Sequence, residues 1–200
     1  MGTELNVCFF GDSFVAGLGD ETGLGWVGRT VAESHRSGLP LSSYNLGVCG
    51  DTAEQVAARF AAEFTARHWA GIDNRAVLAF GANDSMLHGK RRRASSAKTL
   101  AALEQIRTAT DAPLFLIGPP AVHDDDHNQR IGELSGAFAD RCYQLGVGYL
   151  DSYSLTAKDE LWRAAVADTD GYHPSSIGYQ RLARYLTPAL LQWFRSRPGV

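Results

Sequence analysis

Val7-Cys8-Phe9-Phe10-Gly11-Asp12-Ser13-Phe14-Val15-Ala16-Gly17 decides how the chain is read. The apolar run Leu5–Phe10 has the length of a buried strand, and it breaks at Gly11 to deliver a serine where that strand ends. In open α/β sheets that end of a strand is where ligands bind, so Ser13 is a candidate nucleophile. A serine hydroxyl is inert alone. It needs a base, a group that orients the base, and donors for an oxyanion, and the remaining sequence has to provide them.

Four further apolar segments follow, Tyr44–Val48, Ala76–Phe80, Leu114–Gly118 and Val147–Asp151, each separated by a stretch of helical periodicity. Trp26, Val27, Thr30, Val31 and Ser34 mark the first helix, which Gly38 and Pro40 stop. Asp51 or Thr52 caps a second with an inward stripe of Val56, Phe60 and Phe64, which Trp69 is expected to continue. A third runs from Ser95 or Ser96 through Leu100, Leu103 and Ile106, and a fourth carries Ile131, Leu134, Phe138 and Cys142 up to Gly146. The last starts at Ser175 or Ser176 and is expected to stop before Pro188, leaving a short apolar tail.

Strands alternating with helices predict an α/β fold, a three-layer α/β/α arrangement around a parallel sheet. Five strands with right-handed crossovers most simply take the flavodoxin-like order 2-1-3-4-5, which brings the loops after the first three strands into one crevice. No repeat, linker or shift of composition marks a boundary, so residues 1–200 are expected to form a single domain.

Composition narrows the function. Hydrophobic residues make up 44%, charged residues 20%, and the formal net charge is -3, as in an ordinary soluble protein without a general attraction to nucleic acid or anionic membrane. No stretch approaches the ~20 apolar residues of a membrane span. The apolar run behind Glu4 is too short and wrongly flanked for a signal peptide. Cys8, Cys49 and Cys142 are odd in number and widely spaced, which favours a reduced, cytoplasmic setting over a disulfide framework.

The other strand ends carry the residues that Ser13 requires. Gly50 stands directly before a helix cap, where an unobstructed N–H near the positive end of a helix suits a developing negative oxygen. Taken alone it reads more simply as a plain strand-to-helix turn. Gly81-Ala82-Asn83-Asp84 follows the third strand, and the Asn83 amide is a candidate second or third donor, although Asn and Asp are common turn residues. In Asp170-Gly171-Tyr172-His173-Pro174 the carboxylate three residues before the histidine can hold its Nδ1–H and leave Nε2 to take a serine proton. Phe14, Trp26 and Met86 are candidates for lining a substrate pocket or belong to the core.

Together these blocks resemble the SGNH (GDSL-type) hydrolases. Gly11-Asp12-Ser13, Gly50 in Gly50-Asp51-Thr52, Gly81-Ala82-Asn83-Asp84 and Asp170-Gly171-Tyr172-His173 match four of the family's blocks in order, from residue 5 to about 195. The resemblance implies a Ser13-His173-Asp170 triad and an oxyanion hole made by the backbone N–H groups of Ser13 and Gly50 with the Asn83 side chain. One departure is Phe14, which stands where the namesake tetrapeptide has leucine and so bears on pocket shape. Gly-x-Ser-x-Gly is absent, so the nucleophile elbow of the α/β-hydrolases is not what presents Ser13.

The expectation is a serine esterase or acylhydrolase acting on carboxylic esters or thioesters of short to medium acyl chain through an acyl-enzyme. It requires no cofactor or metal. Its partner is a small-molecule ester, with no nucleic acid and no membrane span, and a homo-oligomer is left open. A carbohydrate deacetylase would use the same residues, and a non-catalytic flavodoxin-like binding module would keep the loops without the chemistry. Two clusters stay outside this reading. Lys90-Arg91-Arg92-Arg93 reads as a solvated loop or as a contact for an anionic group on the substrate. His123-Asp124-Asp125-Asp126-His127 has metal-ligand residue types, but an acidic run before a helix is explained by capping.

Overall fold

β1 (Leu5–Gly11) is buried along its whole length, and its side chains alternate between two cores. Leu5, Val7 and Phe9 enter one core while Cys8 and Phe10 enter the other, because successive strand residues point to opposite faces. The strand therefore occupies the middle of a sheet covered on both sides. In the computed structural model, which describes residues 4–196, β1 pairs in parallel with β2 (Leu41–Gly47) and with β3 (Asp73–Ala79). β6 (Leu114–Ile117) and β7 (Gly148–Leu150) extend the sheet in the order β2-β1-β3-β6-β7. Counting only these strands, the order is the expected 2-1-3-4-5.

On one face pack α2 (Gly25–Arg36) and α9 (Ser176–Arg195), with Trp26, Leu186 and Leu190 meeting Phe9, Val77 and Phe115. On the other lie α3 (Ala53–Thr65), α5 (Ser96–Thr108) and α6 (Asp125–Leu145), whose Phe60, Leu103 and Phe138 cover Phe10 and Leu78. The architecture is a three-layer α/β/α sandwich. The caps follow from local chemistry: Ser95 accepts from Lys98 N–H, Asp124 from His127 N–H, and Thr52 forms a reciprocal box with Gln55.

Two helical expectations are corrected. α9 does not stop before Pro188 but runs through it to Arg195, since Leu182, Leu186, Leu190 and Phe194 keep one buried stripe across it. That burial, at about 1.5–3 kcal/mol per large side chain, exceeds the ~3 kcal/mol cost of an interior proline. The tail after Pro188 is thus helical as far as Arg195, and the expected single domain reaches residues 1–3 and 197–200, which lie outside the described residues. Trp69 does not continue the α3 stripe. The helix ends at Thr65, and Trp69 is about half exposed in a turn whose backbone N–H and carbonyl are both bonded by the Asn74 side chain.

The segment between β7 and Asp170 holds two helices not anticipated from the periodicity, α7 (Ser152–Thr156) and α8 (Glu160–Ala167). Asp151 and Asp159 cap them, and Trp162 in α8 is fully buried with its indole N–H on the Ala121 carbonyl. No helix among the described residues is long and apolar enough to cross a membrane.

Candidate active site

The site is built where β1, β2 and β3 end. Ser13 is the first residue of α1 (Ser13–Ala16), a single turn capped by Asp12, whose Oδ1 accepts from Phe14 N–H. The turn lies against β2 so closely that a Cβ on Gly47 would stand 2.2 Å from Ala16 N. Only glycine permits that approach, and it seats Ser13 at the mouth of the crevice.

After β2 the chain turns at Gly50, whose φ of 82° is in the left-handed region, and enters α3. After β3 it forms α4 (Ala82–Ser85), which carries Asn83. From the far end of the chain, His173 reaches Ser13. Its Nε2 lies 2.7 Å from Ser13 Oγ, and its Nδ1 lies 2.7 Å from Asp170 Oδ2. Asp170 also accepts the N–H groups of Tyr172 and His173 on Oδ1, at 2.9 and 2.8 Å. Burial would raise the Asp170 carboxyl, but these bonds outweigh it and hold its pKa below the usual value. Asp170 stays ionised where the imidazole requires a carboxylate. Residues 160 positions apart thus form one continuous hydrogen-bonded chain.

Asn83 is held on three sides. Its Nδ2 donates to Asp12 Oδ2 at 3.2 Å and to the Asp51 carbonyl at 3.1 Å, while its Oδ1 accepts from Arg93 Nη1 at 3.2 Å. Both amide hydrogens therefore have acceptors, at the long end of the hydrogen-bond range, and a stronger anionic acceptor would share or displace one. The N–H groups of Ser13 and Gly50 donate to no acceptor among the described residues.

Several supporting side chains escaped the reading of the sequence. Asp12 is buried, and that burial, reinforced by the charge of Asp84, pushes its pKa up to about 7 against the hydrogen bonds from Phe14 N–H and Asn83. Asp84 is also buried, and its carboxylate accepts from Ala53 N–H at the start of α3 and from the Thr99 hydroxyl in α5. Arg59 clamps the strand ends, donating to Asp51, Gly11 O and Leu46 O. The signal for Asp12, Asp84 and Arg59 in the sequence was only a charged residue inside or beside a motif, with nothing to name its partner.

Ser13 opens into a pocket of about 140 Å³ with walls that include Phe14, Leu18, Met86 and Tyr172. Phe14 packs on the His173 ring at 5.6 Å and on Trp162 at 6.5 Å. Phe14 and Met86 both stand in the wall of this pocket. Trp26 does not, because it is buried to 1% exposure beneath the site with its ring edge-on to Phe9. Its α2 stripe carries it into the core.

The basic run is folded rather than a loop. β4 (Leu87–His88) and β5 (Arg91–Arg92) pair as a small antiparallel hairpin, Arg92 binds Glu133, and Arg93 turns back to the site. In the acidic segment, Asp124 to Asp126 cap and open α6, and no three metal-ligating side chains converge among the described residues. His127 is instead buried, with Nε2 between Ser85 Oγ at 2.9 Å and the Ala82 carbonyl at 3.0 Å, so it ties α4 to α6. Burial lowers its pKa and keeps it neutral.

No curated protein sequence matches the chain. Among solved structures, it is similar to the lipase/acylhydrolase from Enterococcus faecalis at 25% identity and a TM-score of 0.78, covering 98% of each chain. It is also similar to the W215I form of the acetyl xylan esterase Axe2 from Geobacillus stearothermophilus at 20% identity and TM-score 0.76, over 94% of this chain and 95% of that one. TesA matches at 22% identity and TM-score 0.75, over 94% of this chain and 98% of that one. The model of the GDSL-like Lipase/Acylhydrolase family matches residues 9–181. With that match across most of its length, the chain belongs to the GDSL-like lipase/acylhydrolase family and is an ester-cleaving hydrolase.

Proposed function

We propose that the chain is a single-domain serine esterase that cleaves small carboxylic esters or thioesters of short to medium acyl chain through an acyl-enzyme. The observation that carries this reading is the unbroken run from Ser13 Oγ through the His173 imidazole to Asp170, opening on a small apolar pocket. Ser13 attacks the carbonyl carbon as its proton passes to His173 Nε2. Asp170 holds the tautomer with Nδ1–H and stabilises the imidazolium. Negative charge gathers on the carbonyl oxygen, which the N–H groups of Ser13 and Gly50 and the Asn83 amide receive, each such donor contributing about 3 kcal/mol to the transition state. The imidazolium protonates the leaving alkoxide or thiolate, and water, deprotonated by His173, then releases the acid.

Phe14 and Met86 bound the acyl side, and a pocket of about 140 Å³ accepts only the first few carbons of a chain. Each buried methylene adds about 0.8 kcal/mol, roughly fourfold in kcat/KM when it is realised in the transition state. The expected profile on p-nitrophenyl esters therefore peaks between acetyl and hexanoyl and declines beyond. Rates that climb through dodecanoyl would exclude this pocket as the acyl site. Fluorophosphonate labelling identifies the nucleophile: the wild type should gain one phosphonyl group on Ser13 with loss of fluoride, and Ser13→Ala should gain none and lose esterase activity.

A further inference from the structure

Arg93 contributes nothing to the chain of groups from Ser13 to Asp170, yet it touches both loops that bring donors to Ser13. Its backbone is stapled beside α4, with Arg93 N–H on Met86 O at 2.9 Å and Ala94 N–H on Asp84 O at 3.1 Å. From that base the exposed guanidinium sends Nη1 to Asn83 Oδ1 at 3.2 Å and Nη2 to the Gly50 carbonyl at 2.9 Å. It closes no ion pair among the described residues, and its charge acts only at longer range on the buried Asp84 carboxylate. We infer that Arg93 is a positioning residue, a two-headed bridge that orients the Asn83 amide and fixes the Gly50 turn so that their N–H donors converge on one oxyanion.

The chemistry of the two side chains explains the direction of this effect. A guanidinium only donates, so it can engage Oδ1 of Asn83 and never Nδ2. Oδ1 is thereby turned outward and Nδ2 inward, toward Asp12 and the Asp51 carbonyl. An amide rotated by half a turn would face the developing oxyanion with a carbonyl and repel it. The second head acts on a different strand end: Gly50 has left-handed backbone in a turn that Asp51 N–H closes on Val48 O, and the bond to its carbonyl adds a side-chain restraint on that turn. The loops after β2 and β3 flank β1 from opposite sides and are tied by Asn83 to the Asp51 carbonyl and by Asp84 to Ala53 N–H, and the exposed Arg93 fork adds a third tie that holds Gly50 and Asn83 directly. A planar fork can do so, and a lysine ammonium, a shorter point charge, is a poor substitute.

The inference rests on the catalytic reading above, and the test separates the two. Wild type, Arg93→Met and Arg93→Lys are compared on p-nitrophenyl acetate, with competent sites counted by the final extent of fluorophosphonate labelling at Ser13. Misplacing donors by up to an ångström costs up to about 100-fold, so kcat per labelled site should fall about 10- to 100-fold in Arg93→Met. It should fall at least about fivefold in Arg93→Lys, with KM within about twofold in both. Wild-type kcat in either variant overturns the bridge, as does a loss confined to KM or a loss matched by fewer labelled sites. Should Arg93→Met fail to fold, Arg93→Lys gives the same decision. Wild type lacking Ser13-dependent hydrolysis would remove the catalytic reading and the bridge with it, whereas an active wild type matched by both variants removes the bridge alone.

Discussion

The two walls of the site are built in opposite ways. The wall that carries Ser13, Gly50 and Asn83 is held by buried and partly buried long-range contacts: Asn83 to Asp12, Asp84 to Ala53 and Thr99, Arg59 to Gly11 and Leu46, His127 to Ala82. The wall that carries His173 is local. Asp170 bonds the backbone of the next residues and the ring three positions on, and its side chain is 55% exposed. The first wall shares its supports with the fold, because each bond also joins separate elements of the sandwich. The second can change its chemistry with little effect on the core. Activity and stability should therefore be coupled on one side and separable on the other.

Asp170→Asn gives the largest expected effect on rate. Losing tautomer control should lower kcat by about 10³- to 10⁴-fold, while Tm stays within about 2 °C because the lost contacts are largely exposed. Steady-state kinetics beside a thermal melt measures both, and a large drop in Tm would show the His173 arm to be part of the structural frame.

Asp84→Ala sharpens the contrast from the other side. Removing a buried carboxylate leaves Ala53 N–H and the Thr99 hydroxyl without their acceptor, a loss of about 3 kcal/mol, or roughly 6–12 °C in Tm for a domain of this size. Because α4 carries Asn83, kcat should fall about tenfold with it. Full activity in a destabilised variant would break the proposed coupling.

The remaining expectation is a slope with pH. The native Asp12 carboxyl, raised to about 7, keeps its proton over a range where the unfolded chain has lost it. Folding stability attributable to this group is therefore highest below its unfolded value of about 4 and declines as pH rises toward 7. Asp170 has the opposite sign: lowered in the native state, it contributes stability at neutral pH that is lost as pH falls through its native pKa. Asp12→Asn should thus gain Tm relative to wild type as pH is raised from 4 to 8, measured by paired thermal melts. A constant difference across that range would mean that Asp12 is ionised in the native state throughout.

Much of the frame was legible because it is written in local terms. The apolar run of β1, a cap at Asp51 or Thr52 and another at Ser95 or Ser96, and the Asp170-x-x-His173 spacing are each decided by neighbours within a turn of the chain, and the structure takes Thr52 and Ser95. The misreadings involve residues whose local pattern lost to packing. Pro188 should end a helix, but the apolar stripe of α9 outweighs it, and Trp69 fits a stripe that Asn74 diverts. Trp26 was readable as apolar and helical, yet nothing in its spacing distinguished a pocket wall from the core beneath.

By itself, the sequence determined the order of the five sheet strands and of the five helices read among them, the chemistry available at each strand end and, through the resemblance, the expectation that Ser13, Gly50, Asn83, Asp170 and His173 meet in one crevice. Periodicity and short motifs suffice for that, since side-chain direction in a strand or helix is fixed by the backbone. Only the tertiary structure decided which groups hold those five in place. Arg93 reaching Gly50 and Asn83, Asp84 joining α3 to α5, and Asp12 buried against Asn83 depend on loops brought together by sheet closure. A charged residue read in sequence carries its donors or acceptors but no partner. Its partner, its burial and hence its pKa exist only once the chain has folded around it.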